Sequence, residues 1–120
     1  MWDGVDRRRF LRAEYPCLIK LSKKAIPIEA ILTHTENISV GGVRVIIGKK
    51  VEVMAEVDLE IDLMDTLTNI SSIGTINWVK TAPSKRKGGP VRYDTGVQFI
   101  ALKDEARRRI QKIVKHLLDR

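Results

Sequence analysis

Four arginines fall within six positions of the stretch DRRRFLR, at Arg7, Arg8, Arg9 and Arg12. A guanidinium is a rigid fork of N–H donors that pairs bidentately with anionic oxygens. Like charges so close together repel, so the cluster points to an anion that belongs among them. Phe10 and Leu11 in its midst favour docking onto a folded surface over a solvated basic tail.

A second polar constellation is ENISVGG, Glu36 to Gly42. Asn37 and Ser39 bend a chain by bonding to nearby backbone, and they equally offer donors and acceptors to a ligand. Gly41 and Gly42 permit positive φ and close backbone approach, so their N–H groups suit an anion-binding concavity. By itself such a cluster is most often only a turn.

The remaining inventory for chemistry is thin. His34 and His116 are isolated, and no spacing of His, Cys or carboxylates resembles a metal site. Ser39 has His34 and Glu36 nearby but no nucleophile elbow. The acids from Glu52 to Asp62 are explained by alternation, as the wet side of a strand. Cys17 shares a face with Tyr15, Ile19 and Leu21 and reads as a core thiol. Trp78 reads as partly buried packing. Arg92 and the loop Lys85-Arg86-Lys87 offer further cations, with no spacing that assigns them to a ligand. A catalytic role is not expected.

The elements that must position these groups are mostly strands. In VMAEVDLEIDLM, Val53, Ala55, Val57, Leu59, Ile61 and Leu63 alternate with polar or exposed positions, the mark of a strand with one dry face. Shorter runs of this kind lie at about 13–21, 27–35, 43–47, 68–79 and 91–100, separated by Ser22-Lys23-Lys24, Gly48-Lys49-Lys50 and the hairpin loop PSKRKGGP. Six short strands predict a closed or nearly closed antiparallel barrel, which removes exposed edges. The period then changes. Ala106, Ile110, Ile113, Val114, Leu117 and Leu118 share one side of a helix beginning near Asp104, which is expected to pack across the barrel with its basic side in solvent.

A chain of 120 residues with 43% hydrophobic content supports one core, read here as a basic arm, 1–12, followed by a barrel and helix, 13–120. The net charge of +7 and pI near 9.8 suit an anionic partner. Val51 to Asp65, however, holds six acids and no base, which argues for a local anion site over a surface that tracks a long polyanion. Six aromatic residues in the whole chain are few for a sheet that stacks single-stranded nucleic acid. No DNA or RNA partner is expected. Neither a secretory signal in MWDGVDRRRF nor an apolar run of membrane-spanning length is present, so the expected compartment is the cytoplasm, without membrane insertion.

Taken together, the two constellations resemble those of the PilZ-domain family of cyclic di-GMP receptors. The family's R-x-x-x-R is matched by Arg8-Arg9-Phe10-Leu11-Arg12, and its [D/N]-x-S-x-x-G by Asn37-Ile38-Ser39-Val40-Gly41-Gly42, one strand out and one back. GTINWVK, with Gly74 and Trp78, and TGVQFIAL, with Gly96 and Phe99, resemble its later strands. The likeness implies a mainly β fold, a six-stranded antiparallel β-barrel of the split-barrel type with a C-terminal α-helix packed on it. It implies a non-catalytic module that binds cyclic di-GMP through Arg7, Arg8, Arg12, Asn37, Ser39, Gly41 and Gly42. Arg8 and Arg12 would clamp guanine or phosphate, Asn37 and Ser39 would hold a guanine edge, and Gly42 would keep the turn tight. Arg7, directly before the motif, implies an intercalated pair of ligand molecules. Charge repulsion within the arm suggests that ligand orders it and so signals to an effector protein, the domain itself being a monomer or weak homodimer. The rival readings are a PilZ-like adaptor that ignores nucleotide and a small basic barrel for single-stranded nucleic acid.

Overall fold

The computed structural model describes residues 13–23, 26–65, 67–84 and 86–118, with backbone alone at 26–29. The arm, 1–12, with Arg7, Arg8 and Arg12, lies outside the described residues, as does Lys85. Six strands precede one helix: β1 (Leu18–Lys23), β2 (Ile26–Ile38), β3 (Gly42–Ile47), β4 (Glu56–Asp62), β5 (Ile70–Ala82), β6 (Arg92–Phe99) and α1 (Asp104–Leu118). They close into a barrel in the order β1-β2-β3-β6-β5-β4, with β4 returning to β1 and every neighbour antiparallel. Closure leaves no strand edge to be covered.

Period-two alternation sends Ile19 and Leu21, Val43, Val45 and Ile47, and Val57, Leu59 and Ile61 into one interior cluster. Ile19, Ile38, Ile61, Ile76 and Ile110 are at most 1% exposed, and each contributes about 1.5–3 kcal/mol on burial. Cys17 belongs to the same interior; burial pushes its thiol up despite the bond to Thr35, as suits an inert core group.

Most strand boundaries differ from the reading of the sequence by one to five residues, and the largest shifts at a strand start are those of β1 and β4. The first strand begins at Leu18, because Pro16 has no N–H for a ladder; before it, Ala13 forms an isolated bridge to Ile38 and Cys17 O accepts from Thr35 N–H. Before β4, Val53 and Met54 sit in a turn, 51% and 74% exposed, and Met54 has φ 75°. Alternation therefore overran the strand by three residues, since a turn that happens to carry apolar side chains looks like strand.

Starts of β1, β3 and β5 and ends of β2, β4 and β6 share one end of the barrel. Helix α1 is tied there. Ala106, Ile110 and Val114, four residues apart, join the core cluster, and Arg109 holds both Asp65 carboxylate oxygens, at 2.9 and 3.1 Å from Nη2. Burial alone would raise the Asp65 carboxyl, but the Arg109 bonds and the Leu67 N–H hold it below the usual range. Asp104 and Glu105 in the first turn and Lys115 in the last complement the helix dipole. Leu118, expected on the buried side, is 47% exposed.

Candidate functional site

The β2–β3 turn is built by its own serine. Ser39 Oγ accepts hydrogen bonds from the N–H groups of Gly41 (3.0 Å) and Gly42 (3.2 Å), while Ser39 N–H donates to Gly42 O at 2.9 Å. The serine is 1% exposed. Gly42 is required for space and not for a left-handed backbone. A Cβ there would run into the carbonyl oxygen of Val97 on β6 and lie 3.1 Å from Gln98 Cα.

The incoming chain is fastened beside this turn. Ala13 and Ile38 exchange both backbone bonds, N to O at 3.1 and 3.0 Å. Behind them, Thr35 grips the same segment: its hydroxyl donates to Tyr15 O at 2.7 Å and accepts from Cys17 N–H at 3.1 Å, and its own N–H donates to Cys17 O at 2.9 Å. Tyr15 then donates to Leu63 O at 2.6 Å. The residue covalently preceding Ala13 is Arg12, the second arginine of the R-x-x-x-R spacing.

Two bulges decide what the outer wall presents. Strict alternation from Thr35 would turn Asn37 inward. The register instead slips between Thr35 and Asn37, so that Thr35 faces Val45, Asn37 faces Arg44, and Ile38 faces Val43. Thr35 and Ile38 are thus both buried, and Asn37 is turned to the outside. On β5 the same happens between Ile76 and Trp78, where Ile76 stays in the core and Trp78 lies opposite Gly96. Because Arg44 also faces Gly96, one cross-strand row, Asn37–Arg44–Gly96–Trp78, runs across β2, β3, β6 and β5 for about 14 Å.

The row is stiff. Arg44 Nε and Nη2 each donate to Asp94 at 2.8 Å, and these bonds raise the guanidinium further above its ordinary value despite partial burial. It therefore remains a cation with N–H groups left over for a second acceptor. Trp78 lies across Gly96: a Cβ on that glycine would meet the indole Nε1 and Cε2. Lys80 Nζ sits 5.3 Å from the ring centroid. The arrangement offers a fixed cation, an amide side chain and an aromatic surface in a line that ends where the arm begins. Among the described residues no group of His, Cys, Asp and Glu is placed to hold a metal.

Of the residues singled out in sequence, Asn37, Ser39, Gly41 and Gly42 come together on one turn, while Arg7, Arg8 and Arg12 are outside the described residues. Arg44 and Asp94 were missed. Fifty residues separate them, and no local pattern announces a pair across two non-consecutive strands. Arg92 lies on β6, and Arg86 lies in the β5–β6 loop. His34 is exposed, 3.5 Å from Glu36.

The PilZ domain family matches residues 6–116. This chain belongs to the PilZ domain family. Solved structures agree on the fold. The inhibitor of motility MotI/DgrA of Bacillus subtilis superposes with a TM-score of 0.75 at 18% identity, over 95% of this chain and 53% of that one. The PilZ domain of YcgR from Escherichia coli, solved with c-di-GMP, gives 0.73 at 13% identity, over 94% and 92%. The MrkH–c-di-GMP complex of K. pneumonia gives 0.73 at 21%, over 93% and 52%. The chain thus spans about half the length of MotI/DgrA and of MrkH. A search of curated proteins returned no match. No described helix is long and apolar enough to cross a membrane.

Proposed function

We propose that this PilZ domain is a non-catalytic receptor for cyclic di-GMP, held between the arginine arm and the outer row of the barrel. The observation that carries this reading is the Ala13–Ile38 pair, because it anchors the chain that bears Arg12 and Arg8 beside Asn37 and the Ser39 turn. Support comes also from the c-di-GMP named for the PilZ domain of YcgR and for MrkH. In this reading Arg8 and Arg12 take phosphate oxygens or a guanine edge, and Arg7 adds a cation for a second, intercalated ligand molecule. Asn37 bonds a guanine edge, Arg44 supplies a pre-set cation, and Trp78 offers a flat surface beside it. Ser39, Gly41 and Gly42 shape the bend that holds Asn37 in place. Neutralising the arm's mutual repulsion orders it over the barrel, and the altered surface is what an effector protein reads.

Calorimetric titration of the full chain with cyclic di-GMP, GMP and a short oligonucleotide tests this directly. Selective binding of cyclic di-GMP is expected, weakened by about 1–3 kcal/mol in Arg12→Ala, Arg8→Ala or Asn37→Ala, the scale of a lost bidentate contact. Hydrogen exchange of residues 7–12 should slow in the complex. Unchanged affinity in all three variants would sink the assignment. Absence of any nucleotide binding would favour the adaptor reading.

A further inference from the structure

Across the barrel from the Asn37–Trp78 row lies a second surface that the ligand reading leaves unused. The strand order places β1 and β4 opposite β6 and β3. Here Leu18 faces His34 and Asp62, and Lys20 faces Leu32 and Glu60. Leu32 is 78% exposed and Leu18 53%. Both line a groove of about 440 Å³. A second hollow of about 410 Å³ over β1, β4 and β5 shares Lys20 and Glu60 with it, so the two form one trough with exposed leucines in it. Apolar side chains gathered in a concavity mark a docking surface more than leucines scattered singly would.

Charge selects the occupant. Asp58, Glu60 and Asp62 stand in a column on the outside of β4. Their described bonds are to neutral donors, Asn69 Nδ2 on Glu60 at 3.3 Å and Met64 N–H on Asp62 at 2.9 Å, and although Lys20 stands across from Glu60, among the described residues no cation makes an ion pair with any of the three. The fitting partner is cationic with long aliphatic stems. This chain carries such an element: Arg108, Lys112 and Lys115, all exposed, form one stripe on α1 at i, i+4 and i+7. The stripe is about 10 Å long at 1.5 Å per residue. The carboxylate column spans about 13 Å at about 3.3 Å per residue.

We propose that the trough seats helix α1 of a second copy of this chain, each copy lending its helix to the other's acidic wall so that the contacts close as a two-fold dimer. Lysine and arginine stems lie over Leu18 and Leu32, with their charged ends at Asp58, Glu60 and Asp62. Ala106, Ile110 and Val114 remain on their own barrel, so the helix need not unpack. The wall used is opposite the row assigned to cyclic di-GMP, and the inference does not rest on that ligand.

Sedimentation velocity of the full chain over a roughly hundredfold concentration range, at low and high salt, is the test. A dimer is expected, weaker at high salt. Leu32→Glu, Glu60→Lys and Lys112→Glu each weaken it about tenfold or more, circular dichroism confirming that they remain folded, and Glu60→Lys combined with Lys112→Glu recovers association. A wild-type monomer throughout, a dimer that none of these changes moves, or a charge swap that recovers nothing overturns the proposal. So does a monomer that instead binds a Leu/Lys model helix on this wall, which would hand the trough to a foreign protein.

Discussion

Replacing Ser39 by alanine separates a residue that builds the site from one that touches a ligand. Its hydroxyl accepts two backbone bonds, from Gly41 and Gly42, and its own donation to Gly42 O is long at 3.4 Å. Gly42 is buried against β6, so its N–H cannot turn to water unless the turn opens; a buried donor left unmet costs about 1–3 kcal/mol. Gly41 is only half-buried and recovers a water, leaving a loss of about 0.5–1 kcal/mol. The sum, about 1.5–4 kcal/mol, lowers Tm by on the order of 10 °C in a domain of this size. Urea unfolding followed by circular dichroism reads it, with an unchanged m-value expected because the surface exposed on unfolding is the same. A loss under about 0.5 kcal/mol, the range of an ordinary surface change, refutes the reasoning and returns the hydroxyl to the ligand.

Gly96→Ala puts a methyl group where the indole of Trp78 lies, so the ring must swing outward, with a stability loss of about 1–3 kcal/mol. In a Trp2→Phe background the emission of Trp78 should shift to the red and affinity for cyclic di-GMP should fall; an unchanged spectrum would contradict the stacked geometry. Asp65 gives a pH dependence. Its native carboxyl is held low by Arg109, so its stabilising contribution is complete above the unfolded value of about 3.9 and fades as pH falls through that value toward the native one. Asp65→Asn should remove that part of the acid sensitivity, as measured by denaturation from about pH 3 to 7; identical profiles in the two proteins would show that the ion pair does not hold α1.

Much of the candidate site is legible without coordinates, because its residues are close in sequence. Asn37 to Gly42 form one turn, and the turn chemistry of Asn, Ser and Gly is local. The surface next to it is not legible. Asn37 and Trp78 point outward because β2 and β5 each carry one extra residue, and the only trace of a bulge in the pattern is a one-residue slip of phase, from Thr35 to Ile38 and from Ile76 to Val79. Arg44 and Asp94 meet because β3 pairs with β6, a neighbour far along the chain. The turn at Val53 and Met54 escaped for the opposite reason, its side chains being apolar although exposed.

Alternation of apolar and polar residues by itself determined six strands with one dry face each, and the change of period after Asp104 determined the amphipathic helix, since both follow from local geometry and the removal of apolar surface from water. Which strands adjoin, how the sheet closes from β4 to β1, and which face Asn37 and Trp78 take were decided only by tertiary structure. Pairing is a contest among alternatives of similar local energy, and register on a two-residue repeat is settled by whichever arrangement packs Thr35, Ile38 and Ile76 together inside. The outward row of Asn37, Arg44, Gly96 and Trp78 is the consequence.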